Sequence, residues 1–272
     1  MEYKNTYNNI NNKSNSRPIG FFDSGVGGLT VFSKVKKLLP NENTIYFGDT
    51  KNMPYGEKTE DELIGFAQKI FSFFEQKNAK AVVMACNTTS AVTYEKLKDN
   101  YNFKIYPIIQ SVCSTLANLE NVKELCVIAT PATIKSKAYS KEILKYNPNI
   151  KVKEIAAPNW VRIVEENRIN QPQSIEQIKE ILSLVENPDK IVLACTHYPY
   201  LLSVLERFFP KEKFIDPSVY FAQNIKNDLD KINMLNKKFE YEKFYVTSEP
   251  QNFKTSSELF YKLDKLPELI RL

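Results

Sequence analysis

Two cysteines stand at matched places in this chain. Cys86 closes the run Val82-Val83-Met84-Ala85 and is followed by Asn87-Thr88-Thr89-Ser90. Cys195 closes Ile191-Val192-Leu193-Ala194 and is followed by Thr196-His197-Tyr198-Pro199. A thiolate is a base and a thiol is an acid, so two such groups facing one another can take a proton from one side of a carbon and return one to the other. The other two cysteines, Cys113 and Cys126, lie within apolar runs and read as buried structural residues. No two cysteines are spaced as CxxC and the chain has one histidine, which argues against a Cys/His zinc site. A disulfide framework is not expected in a chain of this length, and reduced thiols fit a cytoplasmic location.

The elements that must position these thiols are legible in the periodicity. Short β-branched runs bounded by polar residues read as buried parallel strands. Ligands bind at the carboxyl ends of such strands, which is where both cysteines fall. The polar residues after Cys86 are good helix caps, and Ala91–Leu97 continues as a helix. Its N-terminus would offer free N–H donors and a dipole that favours a thiolate. Further strands are expected at 19–22, 44–47, 104–109, 125–129, 152–156, 213–215 and 244–247. Helices are expected at 29–39, 59–76, 111–119, 158–166, 175–185, 201–209, 219–229 and 253–262. Strand and helix patterns alternate throughout, which implies parallel sheets flanked by helices. The glycine-rich turn Asp23-Ser24-Gly25-Val26-Gly27-Gly28 could present amides to an anion, or be a tight strand-to-helix turn without a ligand. It is neither a Walker A loop nor a dinucleotide fingerprint.

The chain has 272 residues, 43% hydrophobic and 25% charged, with a formal net charge of +5. That is the composition of a globular protein with a substantial core. Its lysines are spread rather than blocked, which reads as solvated surface and not as a nucleic-acid face. No apolar run is long enough to span a membrane, and the N-terminus lacks the apolar core of a secretory signal. Residues 1–17, rich in Asn and Ser, are expected to be a disordered extension.

Several separate motifs resemble the glutamate racemase family. They are the stretch from Ile19 to Val31, Tyr46-Phe47-Gly48-Asp49-Thr50 with Pro54-Tyr55-Gly56, Ala85-Cys86-Asn87-Thr88, Ile128-Ala129-Thr130 with Ala132-Thr133, Ala194-Cys195-Thr196-His197-Tyr198-Pro199, and Tyr245-Val246-Thr247-Ser248. The resemblance runs from Pro18 to the end of the chain. It implies a cofactor-independent isomerase that interconverts L- and D-glutamate and supplies D-glutamate for peptidoglycan. It implies an α/β fold of two pseudo-symmetric domains with mainly parallel sheets and the active site at their interface. The expected domains are 18–108 with 220–272, and 109–219. The resemblance places the catalytic thiols at Cys86 and Cys195. Substrate contacts fall on Asp23 and Ser24, Tyr55 and Gly56, Asn87 and Thr88, and Thr196 and His197. A glutamate placed like Glu165 often lies near the second cysteine. Asp23 is positioned to assist Cys86, and His197 to assist Cys195. The expected ligand is glutamate, with no cofactor, metal, nucleic acid or membrane, in a homodimer.

The residues leave alternatives open. One is a racemase acting on aspartate or another acidic amino acid. Another is a Cys–His hydrolase, which needs only one of the thiols. A third is a binding protein that kept the fold and lost catalysis.

Overall fold

When a helix carries the chain back across a sheet, the next strand must run parallel to the last. The computed structural model, which describes residues 15–272, contains two sheets built this way. The first half supplies β1 (Ile19–Asp23), α1 (Leu29–Leu38), β2 (Thr44–Gly48), α2 (Glu60–Gln76), β3 (Ala81–Met84), α3 (Asn87–Leu97) and β4 (Lys104–Pro107). The second supplies α4 (Ile108–Ala117), β5 (Glu124–Ala129), α5 (Pro131–Ser136), α6 (Ala138–Tyr146), β6 (Lys151–Ala156), α7 (Trp160–Glu165), α8 (Pro172–Ser183), β7 (Lys190–Ala194), α9 (Leu202–Leu205) and β8 (Phe214–Ile215). The chain then returns through α10 (Pro217–Lys231), β9 (Glu242–Val246), α11 (Pro250–Ser257) and β10 (Glu268–Leu269).

The first sheet has the order β10-β9-β2-β1-β3-β4 and the second β6-β5-β7-β8. Every pairing among them is parallel. Register sets the functional edge. Asp23 pairs with Gly48 and Phe22 with Met84, so β1, β2 and β3 end together. Ala129 pairs with Ala194, so β5 and β7 also end together.

Alternation along the strands divides the apolar residues between layers. Phe21, Val83, Val127 and Val192 enter one shared core with Phe221 and Ile225 of α10, which joins the two sheets. Phe22 and Met84 face a second core under α2, whereas Ile128 and Leu193 face a third with Trp160 of α7. Helix α2 starts at a reciprocal cap between Thr59 and Glu62 and buries Leu63, Ala67, Ile70 and Phe74. Cys113 and Cys126 are buried in α4 and β5, and all four cysteines are free thiols.

Several expected boundaries change, among them that of the strand expected at 104–109, which ends at Pro107 so that Ile108 and Ile109 open α4. The helix after Cys86 begins at Asn87 rather than Ala91, because Asn87 to Ser90 form its first turn instead of preceding it. After Cys195 there is a 3-10 turn over Tyr198–Leu201 and then the four-residue α9, in place of a helix over 201–209. Phe208 and Phe209 leave helical geometry and pack against the third core. The closing helix stops at Ser257, and β10, two residues long, is too short for any periodic signal.

Residues 1–14 of the expected extension lie outside the described residues. Its last positions are tied down. Lys80 forms a fully buried ion pair with Glu42 (2.6 Å) and donates to the Asn15 carbonyl (2.7 Å), while Asn43 donates to Ser16. No helix among the described residues is long and apolar enough to cross a membrane.

Candidate active site

The carboxyl ends of strands from both sheets converge on one cavity. Cys86 lies just past β3 and Cys195 just past β7, and both line it. Their exposures are 6% and 7%, so each thiol reaches the cavity while bulk water is largely excluded. Ser24, Tyr55, Gly56, Asn87, Thr88, Thr196 and His197 line the same space. Asp23 does not reach the cavity surface. It is 1% exposed and lies beneath the wall, accepting from the Gly25 amide (3.0 Å) and from Thr196 Oγ1 (3.4 Å).

That geometry bears on the glycine-rich turn. None of its glycines has a positive φ. The Gly25 amide is turned onto the chain's own Asp23, not toward an external anion. Close approach explains Gly27, where an added Cβ would lie 2.4 Å from His197 Cε1 and 2.5 Å from Thr196 Oγ1. The turn at the end of β1 can therefore seat directly on the loop after β7. Thr30 of α1 adds a hydrogen bond to the Thr196 carbonyl (2.9 Å).

Around Cys195 the partners form a series. His197 Nδ1 lies 3.7 Å from Cys195 Sγ, and His197 Nε2 lies 2.5 Å from Glu165 Oε1 at the end of α7. Burial opposes a charge on His197, but hydrogen bonds to Cys195 and Glu165 outweigh it and raise the imidazole well above its ordinary value. An imidazolium bracketed by Glu165 and a sulfur is thereby favoured.

Around Cys86 the surroundings are acidic and apolar. Burial, reinforced by the nearby Asp23 carboxylate, pushes the Cys86 thiol up to about 12. Burial likewise raises Asp23 to about 6, against the lowering influence of His197 and of the Gly25 and Gly28 amides. Asn87 Oδ1 accepts from Tyr139 Oη of α6 (2.7 Å), and Thr88 shares a hydrogen bond with Thr130 (2.9 Å). Tyr55 donates to Asp49 (2.5 Å), which also accepts from Thr247 beyond β9. An added Cβ at Gly56 would meet Thr130 Cβ at 2.9 Å. Asn87, Thr88 and Gly56 of the first half are thus placed by residues of the second.

Thr130, Tyr139, Arg162 and Glu57 were not among the expected site residues. Thr130 had a signal, since it follows Ala129 at a strand end as Cys195 follows Ala194. Arg162 and Glu57 line the cavity and pair at 2.8 Å, joining α7 to the turn that carries Tyr55. Nothing in the local pattern marks either as more than a surface charge. Among the described residues, no group of three or more His, Cys, Asp or Glu is arranged to hold a metal ion.

Comparison with known proteins gives a consistent answer. The model of the Asp/Glu/hydantoin racemase family matches residues 23–224. A glutamate racemase of Thermoanaerobacter pseudethanolicus is 38% identical over 248 residues, covering 90% of this chain and 93% of its own. One from a Nostoc species is 39% identical over 243 residues, covering 88% and 82%. The crystal structure of Francisella tularensis glutamate racemase with D-glutamate matches with a TM-score of 0.87 at 34% identity, covering 94% of this chain and 98% of that one. A Bacillus anthracis glutamate racemase isoform matches with a TM-score of 0.88 at 28% identity, covering 94% and 97%. With the match spanning most of the chain and taking in both cysteine-bearing strand ends, the protein belongs to the Asp/Glu/hydantoin racemase family.

Proposed function

We propose that this chain is a cofactor-independent glutamate racemase, an isomerase that uses Cys86 and Cys195 as its two acid–base groups and supplies D-glutamate for peptidoglycan. The observation that carries the reading is the pair of thiols brought from two different sheets to one enclosed cavity. A thiolate on one face takes the Cα proton, and the electron pair passes into the adjacent carboxylate. The thiol on the other face delivers its own proton to Cα. The configuration is inverted, and the thiol and thiolate have exchanged roles.

The surroundings of the two thiols differ. Cys86 is held as a thiol by burial and by Asp23. Across the cavity His197, raised well above its ordinary value, stands 3.7 Å from Cys195 Sγ. By the family resemblance Cys195 faces the proton of L-glutamate and Cys86 that of D-glutamate. The carbanion-like state requires donors aimed at the carboxylates. The cavity-lining residues Asn87, Thr88 and Thr196 and the N-terminus of α3 are suited to this. The two functional halves are taken as 18–108 with 220–272, and 109–219. The return of β9 and β10 to the first sheet supports this, and the start of α10 at Pro217 favours moving the second boundary to 216/217. A cytoplasmic homodimer completes the reading, and sedimentation would check its oligomeric state.

One observation favours a second reading. Cys195, His197 and Glu165 form a thiol–imidazole–carboxylate series such as a hydrolase could use. It leaves Cys86 without a part. Circular dichroism of reactions started with L-glutamate, L-aspartate and L-leucine, with Cα deuteration followed in D2O, separates the readings. Glutamate should lose optical activity and gain deuterium, and leucine should do neither. Fast racemisation of aspartate with none of glutamate, or no Cα exchange at all, would overturn the proposal.

A further inference from the structure

Cys86 occupies the cap position of α3 in an extended conformation, with φ −67° and ψ 118°. The Ser90 amide already bonds to the Cys86 carbonyl (3.0 Å), so the amide of Thr89 is one of the unpaired donors at the helix start. A serine or aspartate cap would accept from that amide through its side-chain oxygen. Here the cap atom is sulfur and takes up no such bond, while the hydroxyl and amide of Thr89, three residues on, favour its charged form. Thr89 is wholly buried, and its hydroxyl has no hydrogen-bond partner among the described residues. Its turn of helix is held from below by Thr93, whose hydroxyl donates to the Thr89 carbonyl (2.9 Å).

A buried hydroxyl with no partner is costly. A thiol is a poor acceptor and relieves little of that cost, whereas a thiolate is a strong one. The cost is therefore relieved only in the state where Cys86 carries charge. Interactions made only in that state lower the barrier rather than tighten substrate binding.

We propose that Thr89 is a positioning residue whose hydroxyl and amide hold Cys86 Sγ as a thiolate in the half-reaction that needs it. This rests on the racemase reading above. The titratable groups facing Cys86 from other elements are Asp23 at the end of β1, Cys195 beyond β7, Tyr46 of β2 and Tyr55. The carboxylate of Asp23 and a charged Cys195 both oppose a second negative charge. Thr89 supplies the compensating donors from Cys86's own helix.

The test compares the full-length Thr89→Val and Thr89→Ser variants with wild type. Alkylation of each cysteine by iodoacetamide at pH 8 is followed by peptide mass spectrometry, beside thermal melts and racemisation kinetics. Thr89→Val should slow alkylation of Cys86 about tenfold and leave that of Cys195 within about twofold, since a hydrogen bond to a charged group is of that size. Loosened packing alone would do the reverse, exposing Cys86 and speeding its alkylation. The melting temperature should not fall. For glutamate, kcat/KM should drop about tenfold and equally for both enantiomers, because their equilibrium constant is one. Thr89→Ser should restore both rates. Alkylation of Cys86 that is unchanged or faster in Thr89→Val overturns the proposal. Thr89→Ala carries the same comparison if the valine variant does not fold. A wild type that fails to racemise glutamate defeats the functional reading, and the alkylation ratio still judges Thr89.

Discussion

The surroundings of the two thiols differ more than their matched strand ends suggest. Cys86 opens an 11-residue helix and is followed by donors from its first turn, while its titratable neighbour is the buried carboxyl group of Asp23. Cys195 stands three residues before a short 3-10 turn that His197 caps, and its partner is that imidazole, braced by Glu165. On the first side burial and Asp23 oppose a charge on the sulfur, and the start of the helix only partly offsets them. On the second side the neighbour is an imidazole raised well above its ordinary value by its bonds to Cys195 and Glu165. A duplicated backbone pattern can thus carry the same side chain in two unlike electrostatic settings.

The sharpest way to break this comparison is to remove one thiol at a time. Cys86→Ser and Cys195→Ser should each lower racemisation by roughly 10³-fold or more, since general acid–base catalysis by one group is worth about that much. Residual exchange should be one-sided. In D2O, Cys195→Ser should wash deuterium into D-glutamate only, and Cys86→Ser into L-glutamate only, as read by NMR. A single variant that exchanges both enantiomers alike would show that the thiols do not serve separate faces.

Glu165→Gln tests the charged side. It removes the carboxylate 2.5 Å from His197, and kcat/KM should fall roughly 10- to 100-fold, the worth of a buried hydrogen bond to a charged group. The pH dependence of stability should change with it. Because the folded His197 value is raised, its contribution is complete below about 6.5 and is lost as pH rises through the folded value. Thermal melts across pH should show that loss in wild type and a smaller one in the variant.

Asp23→Asn tests the other side with the opposite sign. A raised carboxyl favours the folded state when neutral, so this contribution is present below about 3.8 and is lost as pH rises through about 6. At pH 8 the variant should melt higher than wild type, by roughly 2–4 °C for each kcal/mol recovered. Its activity profile should lack a step near pH 6. A variant that melts lower at pH 8 would mean that the bonds from Gly25 and Thr196 outweigh the cost of the buried charge.

The smallest effect is expected at the rim. Arg162 and Glu57 are both about half exposed, so their ion pair should contribute little. Arg162→Ala should change kcat/KM less than about threefold. A larger loss would give the two halves a coupling that the interior comparison omits.

Much of this architecture is readable in one dimension. The strands through Val83, Val127 and Val192 are short β-branched runs whose alternation and bounding residues are local properties. Both cysteines fall at strand ends for the same reason. The boundaries that shifted are those where local preference is weak. Asn87 to Ser90 suit either a cap or a first turn, and the packing of Phe208 and Phe209 outweighs the helical pattern after Leu205.

What the amino-acid order determined by itself is the inventory of reacting groups and the edge of the sheet on which each would stand. Tertiary structure alone decided which groups meet. Glu165 reaches His197 across 32 positions of sequence, and Thr196 reaches Asp23 across 173. Gly27 is glycine because of a loop from the other sheet, not because of its own φ. The charge state of a buried group follows from what the fold packs around it, since desolvation and neighbouring charges act through space and leave no periodic trace along the chain.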